Sequence, residues 1–563
     1  MPLQCSPRKI QFLILITAAI VIVSILMVLF LFNYPSFARQ RVVDEMVFKN
    51  GSMEYDRFLT TSDLKNLRLV FYIYNVTNAE DVIKNYTKIK VQEVGPYVYH
   101  EYKYKEILDN NQTTGLIKFK LRKRYTFVPH LSVGDPTKAN IVWPNVPLTS
   151  MQAILDKLPF LERFAAYSTI IKPTIKQSKE SAFIRDKVEN FLFDGSYRKF
   201  FANLQTKIEK LQKWVPLNLT TNWPFKDNKF GILYDKNDSW LPGRDHIFTV
   251  SAGFGQNQTY HDLNQYVYFD DKAVLPYWYG QPPTCNQIHG TDGEFFSPLL
   301  DESQGIEVYT SDLCRRLDFK FNQKTFLSGI LVYKYTLDPR SLQGGSRRPE
   351  NQCYCLRRNG SVASDECHID GLIDLETCVS PNIVASGSHF IHGSSELLNR
   401  IDGLRPPNKT KDDLTLYVEP NTGLTLQVRT PIQMNLRMVN GGTGLFRFIK
   451  DQPLIMPLLT ITESAELLDD QASLLKRKLI LLDSWLICTA LGVCIVIVIS
   501  IIVIGAILYI RRRDSGQAQS LVQSSETDPL LPRSFSPSTR DNIETPADVQ
   551  RSSDLNSRNY MSV

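Results

Sequence analysis

The sequence predicts a membrane protein of mixed α+β class, in which two transmembrane helices flank one large extracellular or lumenal domain. Three observations carry this. Ile10–Phe32 is a run of 23 residues and Trp485–Ile510 a run of 26, and neither contains a charge. Each exceeds the roughly 20 residues a helix needs to cross a hydrocarbon core. The 452 residues between them hold eight N-x-Ser/Thr sequons and six cysteines, marks of a segment that meets the secretory lumen. Strand-like alternation of apolar and polar residues recurs along that segment.

Residues 1–9 form the N-terminal flank, with Arg8 and Lys9 just before the first span. Arg511, Arg512 and Arg513 follow the second. Positive flanks stay cytoplasmic, so both termini are expected inside, with residues 33–484 outside. Arg39 and Arg41 weaken this asymmetry, but the sequons restore it. Asn75, Asn85, Asn111, Asn218, Asn237, Asn257, Asn359 and Asn408 all fall between the spans. A cleaved signal peptide is the rival reading of residues 10–32. Its apolar core is usually about 7–15 residues long and precedes a small-residue cleavage site. The first span is longer and lacks such a site, so an uncleaved anchor is expected, in the plasma membrane or an endosomal or lysosomal membrane.

Residues 37–48 continue the first helix. Leu69 to Tyr74 reads as a strand rich in β-branched and aromatic residues. Ile117, Phe119 and Leu121 alternate with Lys118, Lys120 and Arg122, a half-buried strand with a basic, solvated outer face. Between 151 and 215 the character changes. Met151–Ile171, Ser181–Phe193 and Phe200–Trp214 carry apolar residues three and four apart and read as helices. Strands return after 228. Leu414, Leu416 and Val418, a Pro420-Asn421-Thr422-Gly423 turn, and Leu424, Leu426 and Val428 form the clearest hairpin. Ile432, Met434, Leu436 and Met438 extend it. Such long antiparallel strands predict a sandwich or a closed barrel. Residues 511–563, rich in Ser, Pro, Asp and Asn, read as a disordered cytoplasmic tail.

Six cysteines, Cys285, Cys314, Cys353, Cys355, Cys367 and Cys378, crowd into region 285–378. In an oxidising compartment they imply disulfides, with 15 possible pairings. A metal site fits less well, because one residue separates Cys353 from Cys355 where zinc sites usually have two to four. Cys488 and Cys494 lie in the second span; Cys5, before the first, is a candidate for palmitoylation. No nucleophile elbow, H-E-x-x-H motif or phosphate loop is present, so no enzyme and no cofactor are expected. His389 and His392, three apart, face opposite sides of a strand and make a poor metal clamp. The formal net charge is +6. About +4 of it lies between the spans, too mild over that length to suggest a nucleic-acid partner. A two-span ion channel shares this topology, but the spans offer only isolated Thr17, Ser24, Thr489 and Ser500 among aliphatics.

In the tail, Glu526-Thr527-Asp528-Pro529-Leu530-Leu531 fits an acidic dileucine sorting signal, which clathrin adaptors read as an extended peptide. Met561-Ser562-Val563 is a weaker match to a peptide that enters a PDZ groove.

Four strings together resemble the CD36 family of class B scavenger receptors. They are EVGPYVY at 93–99, GTDGEFFSP at 290–298, IDGL at 401–404 and YVEPNTGLTLQ at 417–427. Their order, with the terminal spans and clustered cysteines, carries the resemblance from the first span through the second. It implies an ectodomain built on an antiparallel β-barrel, a helical crown matching 151–215, and a hydrophobic tunnel. It further implies Cys285–Cys353, Cys314–Cys378 and Cys355–Cys367 disulfides, and ligand capture by crown lysines, here Lys172, Lys176 and Lys179. The implied partners are lipoprotein particles and hydrophobic lipids such as carotenoids, sterols or fatty acids. Among invertebrate members, the chain resembles the insect receptors that bring carotenoids into cells for visual pigment. A second family role is a lysosomal sorting receptor that escorts protein cargo.

Overall fold

Leu69 to Tyr74 lie in β1 (Arg68–Val76), a central strand of one large antiparallel sheet. The structure is a computed structural model that describes residues 7–524 except 60–65, 157, 213–225, 238–245, 279–282, 356, 359–360, 363–368, 377, 380–381 and 451–452. The chain divides into two compact units, one from Phe30 to Thr489 and one from the two chain ends.

The main sheet of the larger unit has 13 strands among the described residues. After β1 come β2 (Val91–Asn111), β3 (Leu116–Phe127), β4 (Ile247–Ser251) and β5 (Tyr266–Phe269). Then follow β6 (Ile306–Thr310), β7 (Arg315–Leu327), β8 (Ile330–Leu337), β9 (Leu372–Asp374) and β10 (Ile383–Gly387). The last three are β11 (Thr415–Val418), β12 (Thr425–Met438) and β13 (Leu454–Glu466). The path across the sheet is β6-β7-β8-β11-β12-β13-β1-β2-β3-β4-β5, with β10 also on β12 and β9 on β10.

The two ends of this path nearly close into a barrel. Tyr266 N of β5 donates to Gly290 O at 3.0 Å. One residue on, Thr291 N donates to Glu307 O at 3.1 Å and Thr291 O accepts from Tyr309 N at 2.9 Å, both on β6. A single segment thus satisfies both strand edges, which would otherwise expose unpaired backbone groups.

The predicted hairpin is present. Leu416 lies opposite Val428 and Thr415 opposite Arg429. Its turn is held by the Glu419 carboxylate, which accepts from Asn421 N at 3.1 Å and Thr422 N at 2.8 Å. Ile117 and Phe119 of β3 are buried.

The C-terminal part of α1 (Pro7–Met46) and α2 (Met53–Leu59) carry Met46 and Phe58 into one apolar cluster of the sheet, and the helices that follow pack on another. α3 is Ala79–Asn85. α4 (Val146–Leu155) starts at Asn145, whose side chain accepts from Leu148 N, satisfying a free helix-end donor. α5 (Phe160–Ala165) runs through a π turn into α6 (Lys172–Ser178). Tyr167, Ile171 and Ile175 recur every four residues along this run and are buried, the stripe expected of a helix on a core. α7 (Lys199–Gln212) buries Phe200, Leu204 and Ile208 in the same way.

The helix expected over Ser181–Phe193 is corrected. Phe183–Lys187 is a strand paired with Asn140–Pro144, and a short helical turn, residues 188–194, follows it. Its apolar spacing fits a helix, but Ile184 opposite Trp143 buries both side chains through strand pairing.

In the other unit the expected C-terminal span is borne out as a helix. Cys488–Arg513, 26 residues with mean hydropathy 3.3, is long and apolar enough to cross a membrane. It belongs to α8 (Asp469–Ser524). The N-terminal segments Ala18–Phe30 and Phe32–Met46 pass the same test only when taken together as one broken span. Pro35 lies within α1; a proline ring clashes with the carbonyl four residues earlier, here residue 31, where the segments part.

Candidate functional site

Successive side chains of a strand alternate between its faces, so register assigns the inner face of the sheet. Ile461 stands opposite Phe71 and Ile432 opposite Ile461, while Phe71 stands opposite Tyr97. Phe71 and Tyr97 are buried, whereas Ile432, Met434 and Ile461 are only half-buried despite lying on central strands.

Further along the same inner face the chemistry changes from apolar to ionic. On β2, Tyr99 belongs to the core cluster under the helical cap and Ile107 packs on a second cluster formed by Phe48, Phe58, Phe119 and Phe248. Between them point Glu101, Lys103 and Lys105. On β3, Lys123 separates Tyr125 of the first cluster from Leu121 of the second. On β13, Glu463 follows Ile461. A charged layer therefore crosses the inside of the barrel between two apolar clusters.

Lys103 lies directly opposite Lys123 in the β2–β3 register, an unfavourable arrangement for like charges. Carboxylates from three other places, and Glu101 of β2 itself, compensate. Lys103 Nζ is 2.5 Å from Glu463 and 3.7 Å from Glu294. Lys105 Nζ is 3.1 Å from both Asp292 and Glu294. Lys123 Nζ is 3.5 Å from Glu101 and 3.9 Å from Asp312. Asp292 and Glu294 come from the segment that closes the barrel, and Asp312 from the β6–β7 turn.

Burial alone would lower the lysine pKa values, because it disfavours the charged form. For Lys103 the carboxylates of Glu463, Glu101 and Glu294 outweigh burial and hold its pKa above the usual range. Lys105 and Lys123 are raised for the same reason, by Glu294 with Asp292 and by Glu101 respectively. Burial raises Glu101, against the pull of Lys123 and Lys103. Glu463 is lowered, with Lys103 and Lys123 overcoming burial. Asp312 is lowered chiefly by Lys123.

Asp312, in the β6–β7 turn, is exposed and reaches Lys123 from the end of the layer.

The helical cap has a different surface. Phe160, Leu161 and Phe164 of α5 are 69 %, 77 % and 65 % exposed. Lys172 and Lys176 on α6 and Lys179 just after it are exposed as well. The sequence reading singled out these lysines and missed the apolar trio, whose spacing alone does not distinguish a surface helix from a core one.

Other singled-out residues scatter. Cys285 is joined to Cys353 and Cys314 to Cys378. Cys355 is also disulfide-bonded, and Cys367 lies outside the described residues. Trp278 packs among Cys285, Cys314 and Cys353, and its Nε1 donates to Cys314 O at 3.0 Å. Asn85, Asn111, Asn237, Asn257 and Asn408 are exposed; Asn75 is half-buried and accepts from Val142 N at 2.7 Å. Asn218 and Asn359 lie outside the described residues, as do Glu526, Leu530 and Leu531. His389 is buried against Tyr74 and Glu93, whereas His392 meets Asp413 at 3.0 Å. Leu424 and Leu426 are core residues; Val428, on the same face, is half-buried.

A nearly closed antiparallel barrel with a helical cap, in a chain that also carries a helix long and apolar enough to cross a membrane, defines a class of membrane protein. The chain belongs to the CD36 family: the family's model matches residues 15–510. It is 29 % identical over 453 residues to sensory neuron membrane protein 1 of Apis mellifera, covering 79 % of this chain and 81 % of that one. It is 27 % identical over 477 residues to sensory neuron membrane protein 2 of Manduca sexta, covering 81 % and 85 %.

Proposed function

We propose that this chain is a lipid-capturing receptor, with both termini cytoplasmic, that takes up hydrophobic or amphiphilic lipid through the inside of its barrel. The observation that carries this reading is the inner row of half-buried apolar residues, Val428, Ile432, Met434 and Ile461, on the sheet's central strands. A tightly packed core leaves few voids larger than a water molecule, so a row of partly accessible apolar side chains there suits a guest molecule. Leaving water for such a surface favours a lipid by roughly 25 cal/mol per Å², and downhill transfer needs no energy source.

Lys172, Lys176 and Lys179, beside Phe160, Leu161 and Phe164, suit the surface of a lipid-carrying particle. The lysines meet its anionic groups and the apolar trio enters its lipid. Carotenoids, sterols and fatty acids are the cargo classes to compare. The relatives' names point to sensory neurons as a setting in which to look.

The test is uptake of labelled carotenoid, cholesteryl ester and fatty acid by cells expressing the chain, with surface display measured in parallel. Replacing Phe160, Leu161 and Phe164 with serine is expected to cut particle binding and uptake severalfold at unchanged display. Unchanged uptake would remove the cap from the mechanism, and no uptake of any lipid by displayed wild-type protein would overturn the reading.

A second reading, a sorting receptor for protein cargo, rests on Glu526, Leu530 and Leu531 as an adaptor signal. Its test is Leu530→Ala with Leu531→Ala, which would raise surface display if the signal routes the chain inward.

A further inference from the structure

The apolar cluster formed by Phe48, Phe58, Phe119 and Phe248 receives the chain from both of its apolar runs. Met46, 14 positions after Phe32, belongs to it, and so do Ala472 and Leu475 of α8. Leu475 precedes Trp485, where the second run begins, by ten positions, which is about 15 Å of helix. The cluster is thus tethered at short range to a segment built to cross a bilayer.

The apolar side chains left exposed around this cluster stand next to its members. Leu108 follows Ile107, Val274 precedes Leu275 and Leu474 precedes Leu475. The most prominent are on the β7–β8 hairpin. Phe326 and Leu331 lie opposite one another across the two strands and are 68 % and 36 % exposed, while the next pair, Leu327 and Ile330, turns into the cluster. Outside the apolar runs and the helical cap, Phe326 is the most exposed large apolar side chain among the described residues.

Ser328 and Gly329 join the strands with φ +49° and +75°, the left-handed pair of a tight two-residue turn. No longer loop intervenes, so the turn holds the Phe326–Leu331 pair at the very tip. Gly329 lies against the Lys476 side chain of α8, and Arg477 beside it in the chain is exposed. Single exposed leucines are ordinary. A cross-strand Phe–Leu pair on a fixed tip, next to cations and tethered close to an apolar span, has instead the composition of a membrane-interface contact.

We infer that the β7–β8 hairpin tip is a membrane anchor seated in the non-cytoplasmic leaflet of the bilayer that holds this chain. Phe326 and Leu331 enter the boundary between headgroups and acyl chains, and Lys476 and Arg477 meet the lipid phosphates. This rests on the reading in which residues 33–484 lie outside and the helix containing Cys488–Arg513 crosses the membrane. It is independent of which lipid the barrel takes up. A second copy of the chain could also cover such a pair, but the tether favours lipid, because it keeps the tip near the bilayer whether or not another copy is present.

The test uses the full chain in phosphatidylcholine nanodiscs, with the emission of Phe326→Trp compared with that of wild type. The boundary depth brings the added tryptophan within reach of bromines on lipid chains, so brominated phosphatidylcholine is expected to remove roughly half of its emission, while aqueous iodide has little effect. Val133→Trp is the control. Val133 is exposed and its N donates to Pro96 O, beside Tyr97 of the other cluster; there iodide is expected to quench and bromolipid is not. Both side chains are exposed, so both variants are expected to melt as wild type does. Quenching of the Phe326→Trp signal by iodide alone places the tip in water and overturns the anchor. Quenching by neither agent means that protein covers the tip, and overturns it too. Equal bromolipid quenching at both positions overturns the assignment to this end of the barrel. Alkaline carbonate extraction of cell membranes separates the failures. Release of the chain overturns the spanning reading, whereas retention with no bromolipid quenching overturns the anchor alone.

Discussion

The Lys105 ammonium sits 3.9 Å from the centre of the Phe58 ring while Asp292 and Glu294 each hold it at 3.1 Å. An aromatic face and two carboxylates together offset the desolvation of a lysine inside the barrel. The same ammonium ties β2 to α2 and to the segment that closes the sheet. Lys105→Met removes the ammonium shared by two buried acids, Asp292 and Glu294, and is expected to cost about 3 kcal/mol. Chemical denaturation would measure this. Adding Asp292→Asn and Glu294→Gln to that variant should recover part of the loss, which tells unpaired charge from lost packing.

Asp412 presents a paired carboxylate outside the barrel layer. It accepts from both arms of Arg405 at 2.6 and 2.7 Å and from Ser388 Oγ at 3.0 Å. Burial would raise its pKa, but the bonds from Arg405, Asn408 and Ser388 prevail and lower it. A depressed folded pKa contributes stability that is fully present above the unfolded value, roughly 3.9 for aspartate, and is lost as pH falls through the folded value. Asp412→Asn should therefore lower stability at pH 7 by about 2 kcal/mol, discounted because Arg405 is partly solvated. The gap from wild type should shrink on acidification below about pH 4. Melting curves of both proteins across pH read this directly, and a gap independent of pH would contradict it.

Gly423 ends the β11–β12 turn with φ +72°, and a Cβ there would lie 2.2 Å from Phe296 O. Both the left-handed backbone and the close approach demand glycine. Gly423→Ala is expected to cost more than about 1 kcal/mol, seen as a lower midpoint in denaturant. Gly134, with no atom within 4 Å of a Cβ, serves as the control and should tolerate alanine.

The cysteine region offers an optical readout. Trp278 is buried among Cys285, Cys314 and Cys353, so reduction of the two bridges should shift its fluorescence to longer wavelength. Cys314→Ser with Cys378→Ser is expected to cost about 2–5 kcal/mol. Non-reducing peptide mapping should also recover a Cys355–Cys367 link, and a different partner for Cys355 would refute that pairing.

Much of this was legible locally. The apolar stretch Trp485–Ile510, the alternation at Ile117 and Phe119, and the Leu414–Val428 hairpin each follow from residues a few positions apart. Hydrophobic periodicity and turn chemistry are short-range signals. Ser181–Phe193 misled for the same reason, since its apolar spacing suits a helix while pairing with Asn140–Pro144 makes part of it a strand.

The sequence alone determined the C-terminal apolar helix and the character of the long strands, whereas the cap lysines were singled out through the family resemblance. Alternate residues of a strand share a face, but the sequence reading did not single out Glu101, Lys103 and Lys105, and alternation alone does not say which face is inside. Only the tertiary structure decided that. Lys103 and Glu463 lie 360 positions apart in the chain and Lys105 and Glu294 189 apart. A lysine can remain charged inside the barrel only where the closed sheet brings such distant carboxylates to it.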